Sequence, residues 1–327
     1  MSSVNQPSNC TLVLSSDTEG VNKMTENWFN SVENVLDHVR LRSLLGRQFL
    51  AELIGTFMLV MIGDGAIAQR QFFGNDTGAG FLNVNIGYAF ALMLGVYFTA
   101  SVSGGHLNPA VSLALCTLGQ MKWIALPVYA LAQLIGAFLG AVTVFAVYYD
   151  TINKIDGGNR TAFGPTGTAG IFATYPAEGV TMGAGFLDQV VGTAILVAGI
   201  MAVTDKKNSK PPSGLEPLFV GLTFFAVGIS FGYNYGYGIN PARDFGPRLF
   251  TAIAGYGPDI WAPGGMQWWW IPIVGPLVGG PLGGWIYYLM VSMHIDTSYN
   301  KHTDERQVSE MGSHQRDEGQ QVCKSNL

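Results

Sequence analysis

Six stretches of about 20 mostly apolar residues begin near Phe49, Val84, Trp123, Gly185, Leu218 and Trp270, and polar or glycine-rich segments separate them. An α-helix needs about that length to cross the roughly 30 Å hydrocarbon layer of a bilayer. There every backbone N–H and C=O must be bonded within the segment, so the pattern predicts six spanning helices. An even number of spans puts both termini on one side. Residues 1–47 are polar and have no apolar run of the kind a cleaved leader carries, so the first apolar stretch serves as its own insertion signal. The Gly-, Thr- and Pro-containing stretch from Asp150 to Gly183 is too polar to cross and reads as a long loop opposite the termini.

Charge adds an orientation. Arg40, Arg42, Arg47, Lys122, Lys206, Lys207 and Lys210 fall on the side of the termini, and only Arg70, Lys154 and Arg160 fall opposite. The positive-inside tendency then makes both tails cytoplasmic. The expected division is a tail at 1–47, a membrane region at 48–293 and a second tail at 294–327. Within the membrane region, repeat one covers about 48–150, the loop about 151–183 and repeat two about 184–293. Only 12% of residues are charged, and 43 of the 327 are glycine. Glycine at that density suits a helical bundle in lipid, where close backbone approach drives association. Cys10, Cys116 and Cys323 are too far apart for a metal site and read as free thiols. No basic block implies nucleic acid, no cofactor or metal motif appears, and no cluster of nucleophile, base and orienting group suggests an enzyme.

The two halves of the chain resemble each other. Ala51-Glu52-Leu53-Ile54-Gly55-Thr56 answers Asp188-Gln189-Val190-Val191-Gly192-Thr193, and Gly104-Gly105-His106-Leu107-Asn108-Pro109-Ala110 answers Gly236-Tyr237-Gly238-Ile239-Asn240-Pro241-Ala242. Three spans separate equivalent points, so the halves insert with opposite orientation. In each Asn-Pro-Ala copy the proline suits a first helical turn and the asparagine suits an N-cap. The helices they open are too short to span, and their polar approaches are tolerable at membrane depth only around a wet cavity buried in protein.

At these motifs the chain resembles the aquaporin superfamily, over about Arg47 to His294. The resemblance implies an all-α membrane fold of six transmembrane helices and two half-helices. It further implies that Asn108, Pro109, Ala110, Asn240, Pro241 and Ala242 meet at the pore centre. The carbonyls of Gly104, Gly105, His106, Gly236, Tyr237 and Gly238 would line one wall, and glycine's access to positive φ explains the Gly-rich runs. Converging positive helix ends would repel cations and orient a passing hydroxyl as acceptor, which breaks a proton wire.

In the channels that the chain resembles, the residue at Arg243 belongs to the outer constriction, whose other members then fall on Tyr88, Gly228 and Tyr237. Strict water channels carry histidine where Gly228 stands. Gly228, Asp244 and the loop sequence Gly167 to Pro176 are therefore similar to the glycerol-permeable branch known from vertebrates. Tyr88 departs from the Trp or Phe of glycerol channels; its phenol is expected to add a donor and trim the aperture. Glu52 reads as a brace for the first half-helix loop, with Gln189 a weaker brace for the second and Asp244 a further structural support. Arg243 could alternatively be a structural partner of Asp244, and Asp64 is expected to be wetted by the vestibule, with a part in selectivity as the alternative. His106 reads either as a hydrogen-bonded wall group or as a pH gate.

Among peripheral features, Asn159 and Asn75 sit in glycosylation sequons, while Asn9 lies in the tail. Trp268-Trp269-Trp270 reads as an interfacial belt, and Ser325-Asn326-Leu327 fits a loose PDZ-ligand ending. The implied solutes are water, glycerol and other small neutral molecules such as urea, in a lipid-embedded homotetramer at the plasma membrane. A mainly water-selective pore and a secondary transporter stay open as alternatives, the latter weakened by amides rather than titratable groups at the central motif.

Overall fold

A computed structural model describes residues 15–73 and 80–296. Asn9, Asn75, Cys10, Cys323 and the Ser325-Asn326-Leu327 ending lie outside the described residues. No strand occurs among the described residues. The chain divides into residues 1–46 and 47–327, each compact by itself. The first unit contains α1 (Ser15–Val39), a helix that the polar composition of the tail does not announce.

The second unit is a helical bundle. Its long apolar helices are α2 (Leu44–Phe73), α3 (Gly80–Ser103), α5 (Leu126–Val147), α7 (Met182–Thr204) and α10 (Ile271–Met290). With the single turns that precede or follow α5 and α10, these five are long and apolar enough to cross a membrane. The sixth expected span is the shorter apolar helix α8 (Glu216–Phe231). Its 16 residues reach only about 24 Å at 1.5 Å per residue. Two short helices follow the Asn-Pro-Ala copies, α4 (Pro109–Thr117) and α9 (Pro241–Ile253). The expected loop after α5 opens instead with a two-turn helix, α6 (Tyr149–Asp156), closed by Gly157 in the left-handed region.

Glycine decides how closely these helices pack. A Cβ at Gly279 or Gly283 of α10 would run into the backbone carbonyls of Val190 and Ala194 on α7. In the other half, a Cβ at Gly136 or Gly140 of α5 would meet the carbonyls of Leu53 and Phe57 on α2. The same small-residue contact therefore occurs once in each repeat, as expected where packing rather than hydrophobicity draws helices together. Gly280, on another face of α10, gives α4 the same close approach through Ala110. Gly246 does the same for α9, where a Cβ would meet Ala137 and the Leu134 carbonyl of α5, so both half-helices are held inside the bundle.

The Trp268 to Trp270 segment differs from the expected belt. Trp268 is buried, stacks on Tyr235 with centroids 4.3 Å apart, and donates its indole N–H to the Thr174 carbonyl at 2.8 Å. Only Trp269 of the three is exposed.

Candidate functional site

Asn108 and Asn240 are the N-caps of α4 and α9, each in extended conformation with proline at the first helical position. Asn108 Oδ1 accepts from the Ala110 amide at 2.9 Å. Asn240 Oδ1 accepts from the amides of Ala242 at 3.0 Å and Arg243 at 3.2 Å. Their amide nitrogens reach across: Asn108 Nδ2 donates to the Ile239 carbonyl at 2.9 Å, and Asn240 Nδ2 donates to the Leu107 carbonyl at 2.8 Å. The reciprocal bonds join the two half-helices N-terminus to N-terminus. A carboxamide nitrogen carries two hydrogens, so each asparagine keeps one N–H beyond the cross-bond. The positive ends of both helix dipoles converge at the same place.

The approaches to these caps hold unusual backbone. Gly104, Gly105 and Gly236 have positive φ, and so do Leu107, Tyr237 and Ile239, where the left-handed conformation is disfavoured for a side-chain-bearing residue. Glycine's freedom accounts for part of each run only, because His106 and Gly238 do not take positive φ. At Gly238 the constraint is space: an added Cβ would lie 3.1 Å from Gln189 Oε1.

Buried polar side chains secure the strained turns. Glu52, fully buried on α2, accepts from the amides of His106 at 3.0 Å and Leu107 at 2.8 Å, from Ser103 Oγ at 2.6 Å and from Gln133 Nε2 at 2.7 Å. Gln189 holds the equivalent place on α7 but has one acceptor oxygen, given to the Ile239 amide at 2.8 Å. His106 is fixed through its ring as well, with Nδ1 3.0 Å from Ser112 Oγ.

Two cavities flank the caps. One, of about 450 Å³ on the side of the 157–181 loop, is bordered by Tyr88, Thr174, Gly228, Gly236 and Arg243. The other, of about 500 Å³, is bordered by Gly104, Gly105, His106, Phe224, Asn108 and Asn240. Where they approach one another, Tyr88, Phe224 and Tyr237 form an aromatic cluster. Tyr237 lies 5.4 Å from Phe224 and 6.3 Å from Tyr88, and Tyr88 lies 6.0 Å from Phe224 (centroid separations). The Arg243 guanidinium sits over the Tyr88 ring at 4.9 Å and donates through Nη1 to the Phe172 carbonyl at 2.9 Å. Gly228 borders the loop-side cavity, and a Cβ there would meet Asn85 Oδ1 and Tyr237 Cζ. The structure thus brings Tyr88, Tyr237, Gly228 and Arg243 to one place from α3, α8 and the second cap.

Two expectations need correction, and one alternative falls. Asp64 is not wetted: it is fully buried, accepts the Tyr88 hydroxyl at 2.6 Å and lies 3.6 Å from Arg243 Nη2. The Tyr88 hydroxyl is therefore committed to α2 rather than offered as a free donor. Nor does Asp244 pair with Arg243. It accepts from Arg248, one turn further along α9, at 2.7 Å, and from both the amide and the hydroxyl of Thr174.

Residues missed in the sequence lie around that last contact. Arg248 is fully buried and also donates to the carbonyls of Thr174 at 2.7 Å and Ile260. Phe172 and Ile171 of the loop are buried as well, so the loop folds onto α9 rather than standing off it. The four-residue spacing of Asp244 and Arg248 was the available signal, since such positions are neighbours on a helix. Asn159 lies exposed beside the Asp156–Arg160 ion pair, and Cys116 is buried. Among the described residues no group of His, Cys, Asp and Glu could hold a metal ion.

Residues 40–287 match the family described as Major intrinsic protein. Human aquaporin-10 is 45% identical over 260 residues, covering 80% of this chain and 86% of that protein. Human aquaporin-9 is 46% identical over 254 residues, covering 78% and 85%. The solved structure of the aquaglyceroporin from Plasmodium falciparum superposes with a TM-score of 0.66 at 30% identity, covering 74% of this chain and 95% of that one. Paired half-helices capped by duplicated Asn-Pro-Ala motifs, together with these matches, place the chain in the major intrinsic protein family, the aquaporins.

Proposed function

We propose that this chain is a passive channel for water and small neutral polyols, chiefly glycerol, which excludes protons and ions. The observation that carries the reading is the constriction's mixed lining. Two tyrosines and a phenylalanine offer apolar faces to C–H groups beside the Arg243 guanidinium, and a glycine stands where a larger side chain would collide with Tyr237. A polyol moving through a narrow passage gives up water from both its carbon and its hydroxyl surface, and an all-apolar wall would leave the hydroxyls unsatisfied.

At the centre, the spare N–H groups of Asn108 and Asn240 donate to a passing oxygen, which then presents no acceptor to a following proton donor. The facing dipoles oppose cations. The carbonyls of Gly104, Gly105, His106, Gly236, Tyr237 and Gly238 serve as successive acceptors for solute hydroxyls. His106, held by Ser112 and Glu52, is a fixed wall group in this reading. Urea and other small neutral solutes follow the same chemistry. The protein works as a homotetramer in the plasma membrane, with both termini cytoplasmic, glycans at Asn159 or Asn75, and the C-terminal Leu327 carboxylate open to a PDZ-type partner.

Reconstituted vesicles followed by light scattering under an inward glycerol gradient, with sorbitol as the impermeant control, test the function. Shrinkage followed by rapid re-swelling with glycerol alone is expected. Fast shrinkage without re-swelling would show a pore for water only, and solute uptake driven by an ion gradient would show a coupled transporter.

A further inference from the structure

Asp64 lies in the mostly apolar stretch of α2 between Glu52 and Gln69, flanked by Gly63 and Gly65, and is 0% exposed. A carboxylate at that depth is expensive to keep unless something holds it. Two groups flank its Oδ1, the Tyr88 hydroxyl at 2.6 Å and Arg243 Nη2 at 3.6 Å, and Oδ2 has no hydrogen-bond partner among the described residues. Tyr88 is pressed directly onto α2, because a Cβ at Gly63 would overlap its ring. The phenol is thus turned edge-first toward α2, and its face is what Arg243 meets at 4.9 Å.

We infer that Asp64 is a positioning residue that determines solute selectivity. By accepting the Tyr88 hydroxyl, it keeps a donor out of the passage, so that beside the Arg243 that covers its face the ring offers a polyol only C–H surface. A tyrosine then serves at the constriction as an aromatic without a hydroxyl would. Released from Asp64, the hydroxyl has to find another acceptor, and the nearest mobile ones are those of the permeating solute. It would narrow the aperture and hold polyols there, while water, which is smaller, would be affected less. The same carboxylate stands beside Arg243, so it also fixes one edge of the guanidinium while Phe172 fixes another.

This inference rests on the constriction reading above, and the two fail differently. Glycerol and water permeabilities are measured on reconstituted wild type, Asp64→Ala, Asp64→Asn, Tyr88→Phe and Asp64→Ala/Tyr88→Phe, each normalised to the amount of protein inserted. The glycerol-to-water ratio is expected to fall about fivefold or more in Asp64→Ala, the effect of one unsatisfied buried group on the barrier. Asp64→Asn, which keeps an acceptor oxygen, restores most of the ratio. Tyr88→Phe keeps the ring and removes the hydroxyl, so it sets the reference ratio for a constriction with nothing to release, and the double variant is expected to match that reference rather than Asp64→Ala. A loss that persists in the double variant would overturn the inference, as would an unchanged ratio in Asp64→Ala. Should Asp64→Ala not insert, Tyr88→Phe decides alone: a ratio well above wild type would mean that the hydroxyl already obstructs the passage. Wild type that passes water and no glycerol would instead overturn the constriction reading, and this role with it.

Discussion

In the proposed channel, Arg243 is the residue on which exclusion is expected to depend most. Its guanidinium is almost wholly buried, yet its attachments are modest: one carbonyl at 2.9 Å, one carboxylate at 3.6 Å and the face of Tyr88. Those contacts hold it still without using all five of its N–H donors, which leaves some for a solute. Arg243→Ala removes both bulk and charge from the proposed constriction. It is expected to admit larger neutral solutes and to raise ion leak, measured as uptake of a five-carbon polyol and as conductance in planar bilayers; selectivity equal to wild type would rule the assignment out. Most of the proposed constriction was legible residue by residue, because the resemblance to the aquaporin family at each Asn-Pro-Ala copy carries Tyr88 and Arg243 with it. Asp64 was not. Its partners are 24 and 179 positions away, and a single acid in an apolar stretch looks the same whether it is wet or paired.

At the scale of elements, the two half-helix loops are built alike and supported unequally. Glu52 gathers four donors, two of them amides of a turn with left-handed Leu107. Gln189 gathers the amide of left-handed Ile239 alone, while the 157–181 loop ties down the first turn of α9 that follows, through Phe172 to Arg243 and Thr174 to Asp244. Glu52→Gln puts an NH2 group where donors already converge and leaves at least one of them without a partner, at a cost of about 1–3 kcal/mol for each group stranded. Glu52→Gln should therefore lower the melting temperature of detergent-solubilised protein more than Gln189→Ala does, with glycerol flux falling in parallel. The reverse order would mean that the first loop does not depend on its carboxylate. The motif copies announced both helices and their caps, because Asn followed by Pro is a local signal. That the long loop would fold onto α9 is not local information. It needs Arg248 and Trp268, 20 positions apart, both to donate to the Thr174 carbonyl.

In the whole membrane unit, the helices of each half lie against one another through glycine, and polar ties close the ends. Asp205, just past α7, accepts from Ser292 Oγ at 2.7 Å and the Tyr287 hydroxyl at 3.1 Å, so it links the end of α7 to α10 and the turn that follows. Partial burial works against its ionisation, but the hydrogen bonds from Ser292, the Lys207 amide and Tyr287 outweigh that and hold its carboxyl below the usual value. A carboxylate whose pKa is depressed by folding contributes stability that is fully present above the unfolded value, about 3.9 for Asp, and is lost as pH falls through the lower folded value. Asp205→Ala should then melt below wild type at pH 7, and the gap should close as the pH is taken below about 4. A gap independent of pH would assign the effect to packing.

What the sequence determined by itself was everything carried by short intervals and by composition. Apolar stretches of spanning length required helices, since lipid tolerates no unpaired backbone. The duplicated Asn-Pro-Ala placed two helix starts, and the interval between copies required an inverted repeat. Tertiary structure decided what depends on distant groups arriving together. It put Asp64 under Tyr88 and beside Arg243, gave Asp244 to Arg248 rather than to its neighbour in sequence, and buried Trp268 instead of leaving it at the interface. A charge or a hydroxyl in a low-dielectric interior must take the partner that geometry brings within about 3 Å, and geometry there is set by how closely glycine lets the helices approach.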